Sequence, residues 1–427
     1  MERTTHRNYL FFLILFLSVF SFLTGCSEKI SEPSDPPSVP PSVAPTKEQL
    51  AKSSFLAFTQ RLESIPEEKR GEAVKEFLAA NPHSPVIEES ALACFFWYGK
   101  ADTVIIKGDI QLAWSSQDTL TPVKCGDSTL FYKICALPAD ARVDYLYLVD
   151  GFEITDPRNP VVTPSGFSSH SQCAMPLFKP DTVRNFRPDV KHGRLDSMKF
   201  GDGQTAADKR TIKIYLPAGY DTLKDLPSLY INDGIKALQY CSYKNILDNL
   251  IVEEKIAPMI AVFIEFREGD QDFYLNKTDE YTSFICESLM PFIDKKYKTS
   301  ALPEKRGIAG ISAGGHISLL IALKRPDKFL LAAGQSSTLT PFFFETVEPL
   351  TGKQPQTAKW RFWLDVGKFD LLSGTFNNMS FLSSNRLLDK KLTEAKIEHK
   401  FTILNDGHQW ANWRERTDDI LIYFFGR

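Results

Sequence analysis

The sequence lacks the motifs that usually announce a metal or a cofactor. It holds no C-x-x-C pair and no H-E-x-x-H, and neither a P-loop nor a G-x-G-x-x-G stands in a suitable strand–turn–helix context. Zinc-hydrolase, nucleotide and dinucleotide chemistry therefore lose their usual markers, and no metal or cofactor is expected. A basic stripe is also missing. Fifty Lys and Arg residues stand against 53 Asp and Glu, a net charge of −3, which gives a nucleic-acid polyanion nothing to follow. The longest apolar run, from Tyr9 to Phe22, falls short of the roughly 20 residues that span a bilayer. What remains is ordinary: 43% hydrophobic and 24% charged residues, with ample apolar material for a core.

The N-terminus has a pattern of its own. Arg3, His6 and Arg7 precede the apolar run, which ends in Leu23-Thr24-Gly25-Cys26. A basic start, a short apolar centre and small residues at the end read as a signal peptide over residues 1–26. The ending resembles a bacterial lipobox, which implies a diacylglycerol anchor on Cys26. The alternative is an uncleaved anchor, and both place the body in the cell envelope, outside the cytoplasm. Ser27 in place of Asp leans towards the outer membrane. Six cysteines follow Cys26, an even number in an oxidising compartment. Two readings stay open: a Cys125–Cys135 pair flanking a strand, or buried free thiols.

Residues 27–46 are rich in Ser and Pro and form a tether without a core. Residues 47–84 read as two short helices, with Leu50, Phe55, Phe58 and Leu62 on one stripe and Val74, Phe77 and Leu78 on another. Pro66 opens the second helix and Asn81-Pro82 ends it. Residues 85–190 hold short β-rich runs separated by Gly, Asp and Pro, the pattern of a small β-sandwich. Residues 191–427 alternate strand and helix. The predicted strands begin at Arg210, Ser228, Met259, Arg306, Leu330, Arg361 and His399, with helices between most of them and a last helix over 410–425. Such alternation builds a mostly parallel sheet with helices on both faces.

Gly310-Ile311-Ser312-Ala313-Gly314 carries the chemistry. It follows an apolar strand and opens a helix, so Ser312 fits a sharp strand-to-helix turn that projects its Oγ. Ala313 then offers an amide to a developing oxyanion. A base must come later in the chain. His316 lies inside the following helix and reads as a packing residue. His399 sits in a strand with charged neighbours and reads as exposed. His408, in a loop between a strand and the last helix, is the candidate base. Asp370, on a loop after another strand, is the candidate acid; Asp365 is the rival, and Glu345 and Glu348 are weaker. A second oxyanion amide is expected just after Gly234. Arg267 follows a central strand and reads as a structural residue or an anion contact.

These residues together resemble the putative-esterase family, which includes enterochelin esterases, feruloyl esterases and the antigen 85 mycolyltransferases. The resemblance rests on Tyr230-Ile231-Asn232-Asp233-Gly234, the Ser312 turn with Gly315, Gly367 to Asp370, and Gly407-His408-Gln409-Trp410 with Trp413-Arg414. It implies an α/β-hydrolase fold over residues 195–427, with Ile235 and Ala313 as oxyanion amides. The enterochelin-esterase branch adds an N-terminal Ig-like, early-set sandwich, and residues 85–165 resemble it in Lys107-Gly108-Asp109, Trp114, Leu137 to Arg142, Tyr145 and Asp156 to Pro160. Such a module binds glycan or shapes one wall of the cleft. The expected activity is that of an exported serine esterase on a small-molecule or glycan ester, with a siderophore ester as one substrate. Feruloyl or acetyl carbohydrate esters, acyl transfer, and a non-catalytic surface-binding lipoprotein are the alternatives.

Overall fold

The computed structural model describes residues 43–427, apart from 90, 113, 115–117, 165–167, 202–208, 352–357 and 372–378. Cys26, the signal peptide and most of the tether lie outside the described residues. The described residues fall in one compact unit, Pro40–Arg427.

Three helices open it: Lys47–Ala51, Ser54–Ser64 and Glu67–Ala80. The first two were expected as one. Ser53 separates them, because its side chain caps the second by accepting from the Leu56 amide. Glu67 and Glu68 sit in the first turn after Pro66, where acids suit the helix dipole. Phe55, Phe58 and Phe77 face inward, and the Phe58 and Phe77 rings stack at 4.2 Å.

Their partner is a β-sandwich. One sheet has the order β1-β2-β6-β5, from β1 (Val86–Glu88), β2 (Leu92–Gly99), β5 (Thr121–Cys125) and β6 (Ser128–Ala136). The other has the order β4-β3-β7-β10-β9, from β3 (Val104–Gly108), β4 (Asp118–Thr119), β7 (Arg142–Val149), β9 (Val162–Pro164) and β10 (Ser169–Ala174), with β8 (Phe152–Ile154) beside β7. Every pairing is antiparallel. Ala93 and Phe95 of β2 take part in the interior between the sheets, while Cys94 and Phe96 belong to the cluster under the helices. Burial on both faces explains why β2 reads as a continuous apolar run. Cys135 belongs to the interior and Cys125 to the helix-covered cluster, so the two do not pair. All six described cysteines are free and buried.

The second half is an eight-stranded sheet of order β11-β12-β14-β13-β15-β16-β17-β18. The strands are β11 (Arg194–Phe200), β12 (Arg210–Leu216), β13 (Ser228–Ile231), β14 (Ile260–Ile264), β15 (Arg306–Ile311), β16 (Leu331–Gln335), β17 (Arg361–Phe369) and β18 (Glu398–Gly407). β11, β12 and β14 pair antiparallel; from β14 onward the sheet is parallel. This is the α/β-hydrolase order. Two apolar clusters lie on its two faces, under helices that include Tyr243–Val252, Ser312–Lys324, Phe381–Glu394 and Thr417–Phe425.

The differences from expectation are local. β11 was not foreseen, because an edge strand reading Arg-Leu-Asp-Ser-Met-Lys-Phe is largely exposed. The single helix expected over 410–425 is interrupted at Arg414–Arg416, where Arg416 turns inward to reach Asp365 and Asp406. β17 and β18 run three residues further than expected, which carries their C-terminal ends to the site.

Candidate active site

The candidate nucleophile sits where β15 turns into the helix Ser312–Lys324. Ser312 has φ +51°, the left-handed region that a side-chain-bearing residue occupies at a cost of about 1–3 kcal/mol. The turn is tight enough to require glycine on either side. A Cβ on Gly310 would lie 2.3 Å from the Gly314 backbone, and one on Gly314 would lie 2.3 Å from Asp233 Oδ2.

Ala313 and Ile235 occupy matching places. Each is the second residue of a helix, Ser312–Lys324 and Gly234–Tyr240 respectively, where a backbone N–H has no partner within the helix. The second helix was not foreseen. Gly234 packs directly on β14, since a Cβ there would come within 2.4 Å of the Ile264 nitrogen. The two helix starts are tied together by side chains. Tyr281 Oη donates to Asn232 Oδ1 at 2.8 Å, Asn232 Nδ2 donates to Ser318 Oγ at 2.8 Å, and Ser318 Oγ donates to the Gly314 carbonyl at 2.6 Å. Oriented amides of this kind stabilise an oxyanion without reorganising.

Asp370 and His408 meet beyond the ends of β17 and β18. His408 Nδ1 lies 2.7 Å from Asp370 Oδ1, and the same oxygen accepts from the Leu371 amide at 2.7 Å. Asp370 is buried, and Phe381 and Trp413 each set a ring edge-on to the imidazole at 4.8 Å. Trp413 is fixed in turn by Nε1 donating to Ser336 Oγ at 3.0 Å.

Asp365 does not reach His408. It is fully buried, accepts from Trp363 Nε1 at 2.8 Å and from Gln335 Nε2 at 3.1 Å, and pairs with Arg416 at 3.0 Å. Glu345 is exposed, and Glu348 pairs with Lys391. His316 is packed near Phe343, and burial pushes its pKa down to about 3, so it stays neutral. His399 differs from expectation: it is half-buried, with Nε2 3.0 Å from Asp389 and Nδ1 2.8 Å from the Ile397 carbonyl. Arg267 lies 3.5 Å from Asp270 on its own turn.

One contact has no local signature in the chain. Ser312 Oγ lies 3.2 Å from Thr338 Oγ1, and no hydrogen bond to His408 is formed. Thr338 comes from the segment after β16, and only the fold brings it to Ser312. Asp233 was read only as a motif residue. It has φ +55° and is half-buried beside Gly314. Desolvation raises its pKa to about 7, with Asp270 adding to the rise and Lys236 opposing it.

This arrangement coincides with a family match. Residues 203–424 fit the Esterase family model, described as "Putative esterase". The chain belongs to that family. Among curated proteins, the chain is 29% identical over 246 residues to an endo-1,4-beta-xylanase/feruloyl esterase of Xylanibacter ruminicola, a match covering 53% of its own length. It spans only about a third, 32%, of that relative's length. It is 24% identical over 232 residues to the uncharacterized protein YjcH of Bacillus subtilis, covering 52% of this chain and 94% of YjcH. Among solved structures, the enterobactin esterase FES from Shigella flexneri superposes with a TM-score of 0.63 at 17% identity, over 78% of this chain and 92% of FES. Ferric enterobactin esterase from Salmonella typhimurium gives a TM-score of 0.63 at 15% identity, over 82% of this chain and 98% of the other. These shares exceed the part of the chain that residues 191–427 make up, so the likeness in fold extends into the sandwich.

Proposed function

We propose that this esterase cleaves a carboxylic ester through a covalent acyl-enzyme on Ser312. The observation that carries the reading is the 2.7 Å contact between His408 Nδ1 and Asp370, at the same end of the sheet as the strained Ser312 turn. Asp370 accepts from Nδ1, which leaves Nε2 as the proton acceptor. Ser312 Oγ attacks the ester carbonyl and passes its proton to His408. The Ala313 and Ile235 amides hold the oxyanion, and the alcohol departs with the proton from His408. Water then repeats the sequence on the acyl-serine. Apo geometry often leaves the nucleophile–base contact open, so the Thr338 contact of Ser312 is compatible with this course.

The substrate proposed first is a siderophore ester, supported by a fold likeness to enterobactin esterases that extends into the sandwich. A hydroxycinnamoyl ester of a carbohydrate is the second reading, supported by the xylanase/feruloyl esterase relative. We also place the protein in the cell envelope, exported and held by lipid on Cys26, on the strength of the Leu23-Thr24-Gly25-Cys26 ending.

The test is a substrate panel of p-nitrophenyl esters, enterobactin, and feruloyl and acetyl sugars, run with and without an added acceptor alcohol. One ester class is expected to stand out, and Ser312→Ala is expected to abolish its turnover. An ester exchanged onto the alcohol faster than it is hydrolysed would make the protein an acyltransferase. Cys26→Ser is expected to move the protein from the membrane to the soluble fraction.

A further inference from the structure

The sandwich reaches both members of the Asp–His pair. Phe369, the residue before Asp370, is buried in the sandwich interior with Tyr145, Val143 and Cys173. Gly407, the residue before His408, is held from two sides. Asp109, after β3, presses on it: a Cβ on Gly407 would lie 2.3 Å from the Asp109 carboxyl carbon and 2.5 Å from Oδ1. On the other side, Asn412 Nδ2 donates to the Gly407 carbonyl at 2.8 Å, and Asn412 Oδ1 accepts from Arg142 Nη1 of β7 at 2.6 Å.

These contacts are fixed within the sandwich. Arg142 is 1% exposed and pairs with Asp144 at 2.6 Å, while its Nε donates to Gln172 at 3.1 Å. Asp109 Oδ2 accepts from the Asp144 amide at 2.9 Å, and Trp114 Nε1 donates to Oδ1 at 3.2 Å. Burial and the neighbouring Asp144 push the Asp109 carboxyl well above the usual carboxylate range. An Arg fully removed from water is costly unless paired, and a lone structural tie would not need one. Here the guanidinium spans the two layers and ends one side chain away from the base.

We infer that the sandwich is a positioning part of the catalytic machinery, with Asp109 and Arg142 fixing the His408 loop through Gly407 and Asn412. This rests on the reading of His408 as the base. Misplacing a catalytic group by about an ångström can cost on the order of 100-fold in rate, so a contact outside the cleft can govern turnover. The sandwich thus acts on kcat; a glycan-binding accessory would act on KM alone.

The experiment uses the full chain and p-nitrophenyl acetate. Gly407→Ala places a methyl against Asp109 and is expected to lower kcat about 10- to 100-fold, with KM within about twofold. Asp109→Ala alone is expected to lower kcat severalfold. Asp109→Gly also removes the Cβ that would lie 2.6 Å from the new methyl, so introduced with Gly407→Ala it makes room for it, and that double variant is expected to turn over faster than Gly407→Ala alone. Asn412→Asp, close to isosteric, keeps the Arg142 pair but turns a carboxylate on the Gly407 carbonyl; its kcat is expected to fall with KM unchanged. Folding of each variant is checked by its melting temperature. Wild-type kcat in folded Gly407→Ala and Asn412→Asp overturns the inference, as does a change confined to KM. A control separates this from the underlying reading. Full turnover in Ser312→Ala defeats the triad itself, whereas an inactive Ser312→Ala beside unaffected Gly407→Ala and Asn412→Asp defeats only the positioning role.

Discussion

Ser312 Oγ rests 3.2 Å from Thr338 Oγ1, while the Thr338 amide donates to the Ser312 carbonyl at 3.0 Å. Ser312 is thus engaged by a neighbour, and in the proposed mechanism it must leave Thr338 to meet His408. A neutral hydrogen bond contributes about 1 kcal/mol net, so removing it favours the reactive rotamer about fivefold. Thr338→Val is expected to speed fluorophosphonate labelling by roughly that factor, and Thr338→Ser to leave it near wild type. Slower labelling of Thr338→Val would mean that the hydroxyl assists Ser312.

The two aspartates of β17 and its loop separate chemistry from stability. Asp370→Asn keeps the shape but offers His408 an amide, and kcat is expected to drop on the order of 10³- to 10⁴-fold with little change in melting temperature. Asp365→Asn breaks a buried pair with Arg416, which costs about 3 kcal/mol. It is expected to lower the melting temperature by several degrees and to leave kcat of the folded fraction near wild type. Calorimetry beside steady-state kinetics checks both.

Gly234 leaves no room for a side chain at Ile264 and Phe263. Gly234→Ala is expected to push the Ile235 amide off its line. Loss of one oxyanion donor costs about 10²- to 10³-fold in kcat, and KM should change much less.

Asp233 supplies a pH dependence. Its carboxyl, raised to about 7, is neutral below that pH and charged above it, beside the amides proposed to hold the oxyanion. A negative charge there opposes the one that develops in the reaction. An alkaline limb near pH 7 is expected in kcat/KM, and Asp233→Asn is expected to remove it. The stability effect has the same sign. Between about pH 4 and pH 7 the unfolded chain loses this proton and the folded one keeps it, so folding weakens as pH rises through that window. Wild-type protein should thus melt lower at pH 7 than at pH 5 relative to Asp233→Asn.

Much of this was legible in the chain because period and punctuation agree there. The parallel strands are short apolar runs that announce themselves, and the Gly-x-Ser-x-Gly turn needs its glycines for reasons of space alone. Asp370 could be preferred over Asp365 because residues at strand ends face the site and residues within strands face the packing. The missing parts are those that long-range packing decides. Thr338 touches Ser312 only because β16 lies beside β15, and nothing near Thr338 in sequence says so. The His399 bond to Asp389 depends on the helix Phe381–Glu394 covering β18. Arg142 and Asn412 are 270 residues apart, and their hydrogen bond joins two layers whose contact has no local signature.

Whether Ser312 is the acylated residue is decided by the site of covalent labelling. Intact-mass and peptide mass spectrometry after fluorophosphonate treatment should find one adduct, on the peptide carrying Ser312. Ser312→Ala should take up none and lose ester turnover. An adduct on another residue, or full ester cleavage by Ser312→Ala, would contradict the account.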